Sequence, residues 1–333
     1  MQLPQSKTGQ NLFRLLRSND ESLVALGLKI HYSNPTPEIT FLLKNYRQLY
    51  QVFFNRRIRR LKAAHLVFFN EPVLHLRNLD LSMLPSEINY LTQLKVLNFE
   101  DNYASWLSPE IAHLSDLEEL NLRNNELGSL PSEIGGLIHL QKLDLAVNEF
   151  VELPPEIIPL TQLRVLELGF NEITELSPEI GQFTKLEELG LNDNQLTELP
   201  AEIAQLTELQ WLSLEGNQFT VFPSEIVPLT QLEGLNLEEN QITELSYKIS
   251  LLTKLQDLDL GKNQLSELPP EIGQLTQLQT LDLNNNQLTR LPVEIGQLTQ
   301  LKDLNLSGNP LSENEEQRNI IAAWLPYCNI EWA

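Results

Sequence analysis

The stretch LPPEIGQLTQLQTLDLNNNQLTR, from Leu268 to Arg290, decides the fold because its pattern recurs along the chain every 23 residues. Every copy has isoleucine at its fifth position, from Ile88 to Ile295, and asparagine at its nineteenth, from Asn102 to Asn309. Ten copies follow one another without insertion, starting at Leu84, Leu107, Leu130, Leu153, Leu176, Leu199, Phe222, Leu245, Leu268 and Leu291. Such a period predicts a solenoid of stacked coils.

Each copy contains a short strand followed by a turn. Leu281, Asp282 and Leu283 alternate with period two, which predicts a strand with its leucines inward. Identical strands one period apart would stack in parallel, about 4.8 Å from one another. Asn286 follows the strand, where its amide can pair with backbone groups that would otherwise be buried without partners. Pro269 fixes φ on the opposite side of the coil, where we expect irregular structure or short 3₁₀ turns.

The repeated unit, L-P-x-E-I-x-x-L-T-x-L-x-x-L-x-L-x-x-N-x-L-x-x, resembles the leucine-rich-repeat family. It is similar to the 23-residue class with LPxEIGxLTxL that occurs in bacterial repeat proteins and in intracellular Ras-associated repeat proteins. The resemblance covers residues 84–313. It implies an α/β fold: a right-handed solenoid with a parallel concave β-sheet, a mostly irregular or 3₁₀ convex side and, here, an α-helical N-terminal region.

Three segments are predicted: a helical N-terminal cap domain over 1–72, the repeats over 73–313, and a C-terminal cap over 314–333. Residues 73–83 are in register with the repeats, but Leu79 replaces the asparagine, so they are interpreted as a degenerate first strand. The apolar spacing predicts helices over 11–17, 21–30 and 37–50 and a fourth helix carrying Phe54, Ile58 and Leu61.

The two chain ends carry further signals. Asp20 is a candidate N-cap for the second helix. Ser312 and Glu315 have capping-box spacing, which predicts a helix starting near Glu313 and ending before Leu325. Alternation at Cys328, Ile330 and Trp332 then predicts a final edge strand.

Charge and composition restrict the function. The net charge of −22 argues against nucleic acid as a partner of the whole molecule, because phosphate repels such a surface. The single cysteine fits a reducing compartment. No secretory h-region begins the sequence and no apolar run is long enough to cross a bilayer, so we expect a cytoplasmic protein without a transmembrane segment.

The charge is unevenly distributed: residues 1–83 carry +7 and residues 84–313 carry −27. Four arginines of the N-terminal segment are close in sequence: Arg56, Arg57, Arg59 and Arg60. They are interpreted as solvated or acid-paired arginines of the cap, as a secondary docking site for an acidic partner or membrane surface, or as a contact for nucleic acid.

No catalytic, cofactor or metal motif is found. The sequence lacks GxxxxGK[ST], GxSxG and HExxH, and its five histidines have no metal-ligand spacing. We therefore expect no enzyme activity, no cofactor and no metal site, and interpret Cys328 as a packed cap residue.

Function is expected at the repeat positions that the scaffold leaves free: the thirteenth, fifteenth and seventeenth, with the twelfth and eighteenth at the strand edges. In three neighbouring repeats and the one before them, apolar residues occupy the thirteenth position (Val165, Trp211) or the eighteenth (Val147, Phe170). Glycines lie beside them and acids surround them, which resembles a binding hot spot with an acidic rim. The predicted partner-binding patch comprises Val147, Val165, Glu167, Phe170, Gly190, Asp193, Trp211 and Glu215. The alternative is neutral variation at tolerant positions, with Phe170 folded onto the turn at Asn171.

The sequence thus predicts a non-enzymatic scaffold that binds a protein partner on its concave face, and the acidic rim would suit a basic partner. One alternative is a regulatory subunit or effector that binds a small GTPase in intracellular signalling. Another is a structural or adhesive protein, which would need an export route. The sequence leaves the partner and the oligomeric state unspecified.

Overall fold

The computed structural model describes residues 7–332 in two compact units. The first unit comprises residues 7–144 and 154–160, and the second comprises residues 145–153 and 161–332. Four helices begin the first unit: α1 (Lys7–Leu16), α2 (Glu21–Ser33), α3 (Pro37–Phe54) and α4 (Ala63–Asn70). Asp20 caps α2 as predicted, since its carboxylate accepts hydrogen bonds from the N–H groups of Ser22 and Leu23.

The prediction of a helix through Phe54, Ile58 and Leu61 is wrong. Helix α3 continues to Phe54 and ends at Asn55, whose φ of 46° is left-handed. Asparagine tolerates that conformation at a helix C-terminus. Residues 55–62 are therefore non-helical, and the next helix, α4, begins only at Ala63.

The helices pack against the first coil of the repeats. Gln48 of α3 donates a hydrogen bond to Glu87 over 3.0 Å, and the ring of Phe41 lies edge-on to Tyr90 at 6.3 Å between centroids. Arg17 donates to the hydroxyl of Thr92 over 2.9 Å. These contacts cover the apolar side of the first coil, as a terminal cap of a solenoid must. The domain boundary at residue 72 stays a prediction.

One short strand forms in each coil, and its register follows the repeat. The first unit contains β1 (Val73–His75), β2 (Val96–Asn98), β3 (Glu119–Asn121) and β4 (Lys142–Asp144). The second contains β5 (Val165–Glu167), β6 (Glu188–Gly190), β7 (Trp211–Ser213), β8 (Gly234–Asn236), β9 (Asp257–Asp259), β10 (Thr280–Asp282), β11 (Asp303–Asn305) and β12 (Asn329–Glu331). Within each unit neighbouring strands pair in parallel, for example Leu281 with Leu304.

The side of each coil away from its strand is a 3₁₀ turn, such as Pro270–Gln274, whose isoleucine is buried. The leucine in the middle of each strand is buried as well, as Leu281 shows. Parallel strands, 3₁₀ turns and N-terminal helices together confirm the predicted fold class.

The asparagine at the nineteenth position joins adjacent coils as predicted. The Nδ2 of Asn286 donates to the carbonyls of Leu260, Leu283 and Asn284 over 2.8, 3.2 and 3.2 Å. Its Oδ1 accepts the N–H of Leu265 over 2.9 Å. All four partners are backbone groups, so the amide satisfies N–H and C=O groups of the turns that water cannot reach.

The C-terminal cap differs from its prediction in one detail. Helix α5 spans Glu315–Trp324 and starts two residues later than expected, because Asn314 is its N-cap and accepts the N–H groups of Glu316 and Gln317. Ser312 instead donates to the carbonyl of Asn309 over 2.7 Å. The helix ends before Leu325, and β12 pairs with β11 as the predicted edge strand.

Candidate functional site

The eighteenth residue of each repeat lies just after the strand in a left-handed conformation. All ten copies have positive φ, between 47° and 68°: Asp101, Asn124, Val147, Phe170, Asp193, Gly216, Glu239, Lys262, Asn285 and Gly308. Glycine, asparagine and aspartate tolerate this conformation better than other residues. Asn285, the second asparagine of the triplet Asn284–Asn286, therefore suits the left-handed backbone at the eighteenth position. The sequence pattern alone did not reveal this conformation.

Val147 and Phe170 are the two residues least suited to this conformation. Their φ values are 56° and 54°, and a β-branched or bulky residue with positive φ is uncommon because its Cβ crowds the backbone. The backbone is held there by bonds between coils: the N–H of Val147 donates to Gly169 and that of Phe170 donates to Asn192, both over 2.8 Å. Phe170 is nonetheless 49% exposed, so its ring is not folded away into the core.

Trp211 and Val165 lie in the strands themselves. Trp211 is 45% exposed, and the six-membered ring of its indole covers Gly234 of the next strand, where a Cβ would overlap the ring. Glu188 separates Trp211 from Val165 in the register of β5, β6 and β7. The indole thus leans away from Val165.

The apolar residues of the predicted patch therefore lie in two separate places. Val147 and Phe170 lie at the same repeat position of successive coils, beyond the ends of the strands. Trp211 begins a strand two spacings from β5, which is about 10 Å across the sheet, and five residues earlier in the repeat than Phe170. The structure places these side chains along an extended surface and not in one compact cluster.

The glycines at this surface are covered by neighbouring side chains. The carboxylate of Glu167 occupies the space that a Cβ of Gly190 would fill, and the carboxylate of Asp193 lies against Gly216. The structure shows that these glycines make room for the acidic and aromatic side chains of the preceding coil.

Carboxylates dominate this surface. We define the strand face of the second unit as residues at positions thirteen, fifteen, seventeen and eighteen of the repeats from Val165 onward. It contains one cation, Lys262, and ten acids: Glu167, Glu188, Asp193, Glu215, Glu238, Glu239, Asp257, Asp259, Asp282 and Asp303. Lys262 forms salt bridges with Glu238 over 3.2 Å and Glu239 over 3.1 Å, so its charge is neutralised within the face.

Two of these acids have perturbed pKa values. Burial raises the pKa of Asp259 to about 6; the Gly261 N–H bond opposes this rise, and the charges of Asp282, Glu238 and Glu215 add to it. Burial also raises the pKa of Glu215, and repulsion from Glu238 and Asp193 raises it further. A hydrogen bond that Asn236 donates over 2.9 Å acts in the opposite direction. Negative charge on this face is therefore incompletely compensated.

Sequence reasoning missed Asp259, Glu238 and Asp282, which extend the acidic surface beyond the predicted patch. The sequence did contain an indication of this surface, because Asp259 and Asp282 occupy the fifteenth position of adjacent repeats. The structure pairs them in register. Acids aligned one strand spacing apart must repel one another. The register of the repeats does not indicate how deeply Asp259 is buried, and burial is the largest cause of the shift in its pKa.

The other candidate residues lie elsewhere. Arg56, Arg57, Arg59 and Arg60 are all exposed in the non-helical segment after α3. Burial, with repulsion from Asp303, raises the pKa of the Cys328 thiol to about 11, so this thiol is protonated near neutral pH. Within residues 7–332, no group of three or more His, Cys, Asp or Glu side chains is placed to hold a metal ion. The helices in that same range include none with the length and apolarity to cross a bilayer.

A solenoid with one parallel strand, one 3₁₀ turn and one buried asparagine per coil defines the class of repeat proteins built on leucine-rich coils. The chain belongs to the leucine-rich-repeat family, of the bacterial type. The family described as leucine-rich repeat region matches residues 110–192 and 163–263, and that described as leucine rich repeat matches residues 253–311.

Solved structures extend the comparison. A leucine-rich-repeat protein of Leptospira interrogans is 41% identical over 81% of this chain and 68% of its own, with a TM-score of 0.76. An internalin of Listeria monocytogenes, 22% identical, shares the fold over 87% of this chain and 89% of its own, with a TM-score of 0.64.

A plant receptor is also similar to this chain. The Arabidopsis receptor kinase HAESA, solved in complex with the peptide hormone IDA and the co-receptor SERK1, is 29% identical over 71% of this chain, with a TM-score of 0.63. This chain covers 42% of that receptor chain. The search of curated proteins gives no match.

Proposed function

We propose that this chain is a non-enzymatic scaffold whose strand face in the second unit, together with Val147, binds an extended basic segment of a protein partner. The observation that carries the proposal is that Phe170 and Trp211 are each about half exposed on a face whose charged residues are ten acids and one lysine. Exposed aromatic side chains are the residues that most often supply binding energy at protein interfaces.

The strain at Val147 and Phe170 supports the same conclusion. Asparagine, aspartate or glycine would fit the left-handed position at lower energy, and other repeats use them there. Apolar residues in unfavourable backbone conformations are typical of sites where the side chain serves binding.

Charge supports a basic partner. Burial is the main cause of the raised pKa values of Asp259 and Glu215, and repulsion from neighbouring carboxylates adds to it. Lysine or arginine side chains of a partner would relieve that repulsion. The spacing between Phe170 and Trp211 suits an extended segment that contacts both places and crosses the acids between them. Repeat solenoids offer such long binding surfaces, and the plant receptor described above holds a peptide hormone.

The decisive experiment compares two double variants in partner capture followed by mass spectrometry. Phe170→Ala/Trp211→Ala should lose at least about 2 kcal/mol of binding, roughly thirtyfold in affinity. Its thermal stability should stay close to that of the parent protein, because both side chains are half exposed.

The matched control is Tyr247→Ala/Leu251→Ala, which removes equally exposed apolar side chains from a 3₁₀ turn away from the strand face. It should retain binding. Loss of binding in the control alone would move the partner site to the turn side and refute the proposal.

The alternative function, a regulatory subunit or effector of a small GTPase, stays a prediction, as do a role in signal transduction and a cytoplasmic location. Capture with nucleotide-loaded GTPases tests the alternative directly. A GTPase held in only one nucleotide state and released by Phe170→Ala/Trp211→Ala would identify it as the partner.

A further inference from the structure

A cationic cleft lies within the first unit, among α2, α3 and the non-helical segment 55–62. Its volume is about 350 Å³, which is in the range of small-molecule sites. Four cations line it: Lys44, Arg47, Arg59 and Arg60. No carboxylate is among its lining residues.

Two different elements bring these cations together. Lys44 and Arg47 are three residues apart and share one face of α3. Arg59 and Arg60 reach the cleft because the chain leaves the helix at Asn55. Leu61, which is buried, then holds the segment against the helices. A continuous helix would instead have spread the arginines around its circumference.

Tyr32 of α2 orients this segment. Its hydroxyl donates a hydrogen bond to the carbonyl of Leu61 over 3.4 Å. The guanidinium carbon of Arg60 lies 4.9 Å from the centroid of the Tyr32 ring, in cation–π contact. One wall of the cleft is therefore held in place in the free protein.

The positive charge in the cleft has no carboxylate partner among residues 7–332. None of the four cations forms an ion pair there with a described carboxylate, whereas Arg77, Lys95, Arg164 and Lys262 do. His31 also lines the cleft, and burial lowers its pKa, which favours the uncharged imidazole. Four like charges in one concavity repel one another unless an anion is bound.

The number of charges indicates the kind of anion. A single carboxylate would pair with one guanidinium and leave the remaining cations uncompensated. A phosphate group carries up to two negative charges and three acceptor oxygens, which suit the planar donors of arginine and the ammonium of lysine. We propose that this cleft binds a phosphate-bearing ligand, held by Lys44, Arg47, Arg59 and Arg60. The phosphate is that of a free small molecule or of an anionic lipid headgroup.

The neighbouring arginines provide a matched control. Arg56 and Arg57 belong to the same exposed segment but do not line the cleft. Arg47→Gln/Arg60→Gln and Arg56→Gln/Arg57→Gln therefore remove the same charge, the first pair from the cleft and the second from outside it. Lys44→Gln/Arg59→Gln is a second cleft pair, used if the first does not keep the circular-dichroism melt of the parent.

The test is calorimetric titration of the full chain with inorganic pyrophosphate. The parent protein should bind, the cleft pair should bind at least about tenfold more weakly, and the control pair should bind like the parent. Absence of binding by the parent, or equal weakening in both pairs, would overturn the proposal.

Cosedimentation with vesicles distinguishes the two sources of phosphate. One set contains equal amounts of phosphatidylcholine and phosphatidic acid, and the other contains phosphatidylcholine alone. Binding to the acidic vesicles that is lost in the cleft pair and competed by pyrophosphate identifies a lipid headgroup. Pyrophosphate binding without vesicle binding identifies a free phosphorylated ligand. Vesicle binding that weakens equally in both pairs reflects diffuse attraction and contradicts the cleft.

Discussion

The indole of Trp211 covers the backbone of Gly234, its direct neighbour in the parallel register of β7 and β8. A Cβ at Gly234 would lie 2.9 Å from Cδ2 of the indole and would overlap two further atoms of the ring. The orientation of this exposed side chain is therefore set by the absence of a side chain on the next strand.

Gly234→Ala should displace the indole of Trp211 into solvent. The exposed ring can move aside, so the free energy of unfolding should change by no more than about 1 kcal/mol, whereas tryptophan fluorescence should shift to longer wavelength. The same substitution in a Trp211→Phe background should produce no shift. An unchanged spectrum in the first variant would contradict the packing of Trp211 on Gly234.

Val147→Asn should stabilise the protein by about 0.5–1 kcal/mol, because asparagine tolerates the left-handed backbone that valine resists. Urea denaturation measures the difference. Val165→Asn is the control, since Val165 lies in an extended strand and gains no relief of strain. A destabilised Val147→Asn variant would show that apolar contacts of Val147 outweigh the strain.

Asn194→Ala should lower the free energy of unfolding by about 1–3 kcal/mol, because several buried backbone groups would lose their partner. The Asn194 amide donates to the carbonyls of Leu168, Leu191 and Asn192 and accepts the N–H of Ile173, over 3.0–3.2 Å.

Asn192→Ala is the control for that experiment. Asn192 is half buried and hydrogen-bonds through its side chain to the carboxylate of Asp193, so its loss should cost no more than about 0.5 kcal/mol. Equal denaturation midpoints for the two variants would refute the role of the asparagine ladder.

Asp259→Asn should stabilise the protein at pH 7 and flatten its stability between pH 4 and 6. Burial raises the pKa of Asp259 from 3.8 to about 6, so the folded state binds the proton more tightly than the unfolded state. The contribution of this group to stability is therefore full only below the unfolded-state pKa of 3.8, and it is lost as the pH rises through 6.

After allowance for solvent screening of this partly exposed carboxylate, the gain at pH 7 should be about 1–2 kcal/mol. It should disappear at about pH 3, below the unfolded-state pKa of 3.8, where Asp259 is protonated in both states. Urea denaturation at both pH values measures it. Asp257→Asn removes a charge from the same strand and should leave the pH slope in place. An identical slope in the parent and Asp259→Asn would exclude Asp259 as its source.

The repeat pattern predicted the coils correctly because each coil depends on neighbours that carry the same pattern. Leu281 is buried and Asn286 bonds to the preceding coil in the same way as their counterparts in other repeats. The helical region followed its apolar spacing over α1 to α3 but not beyond, because the left-handed conformation of Asn55 ends the helix where the spacing alone would have continued it.

The candidate site was predicted as a set of named residues at free repeat positions, without their backbone conformations or the neighbours of their side chains. The sequence indicated that Phe170 and Trp211 are unusual there, but it did not indicate that one lies on a left-handed backbone and the other over a glycine. Both properties depend on which residue the adjacent coil places next to the side chain, and the spacing within one repeat carries no such information.

The sequence by itself determined the period, the parallel stacking and the asparagine ladder, because these follow from a local pattern repeated without interruption. Only the tertiary structure decided the direction of the Trp211 indole, the raised pKa of Asp259 and the convergence of Lys44 and Arg47 with Arg59 and Arg60 in one cleft. The physical reason is that ring contacts, desolvation and charge proximity depend on distances between side chains from different strands and helices, and those distances exist only once the chain is folded.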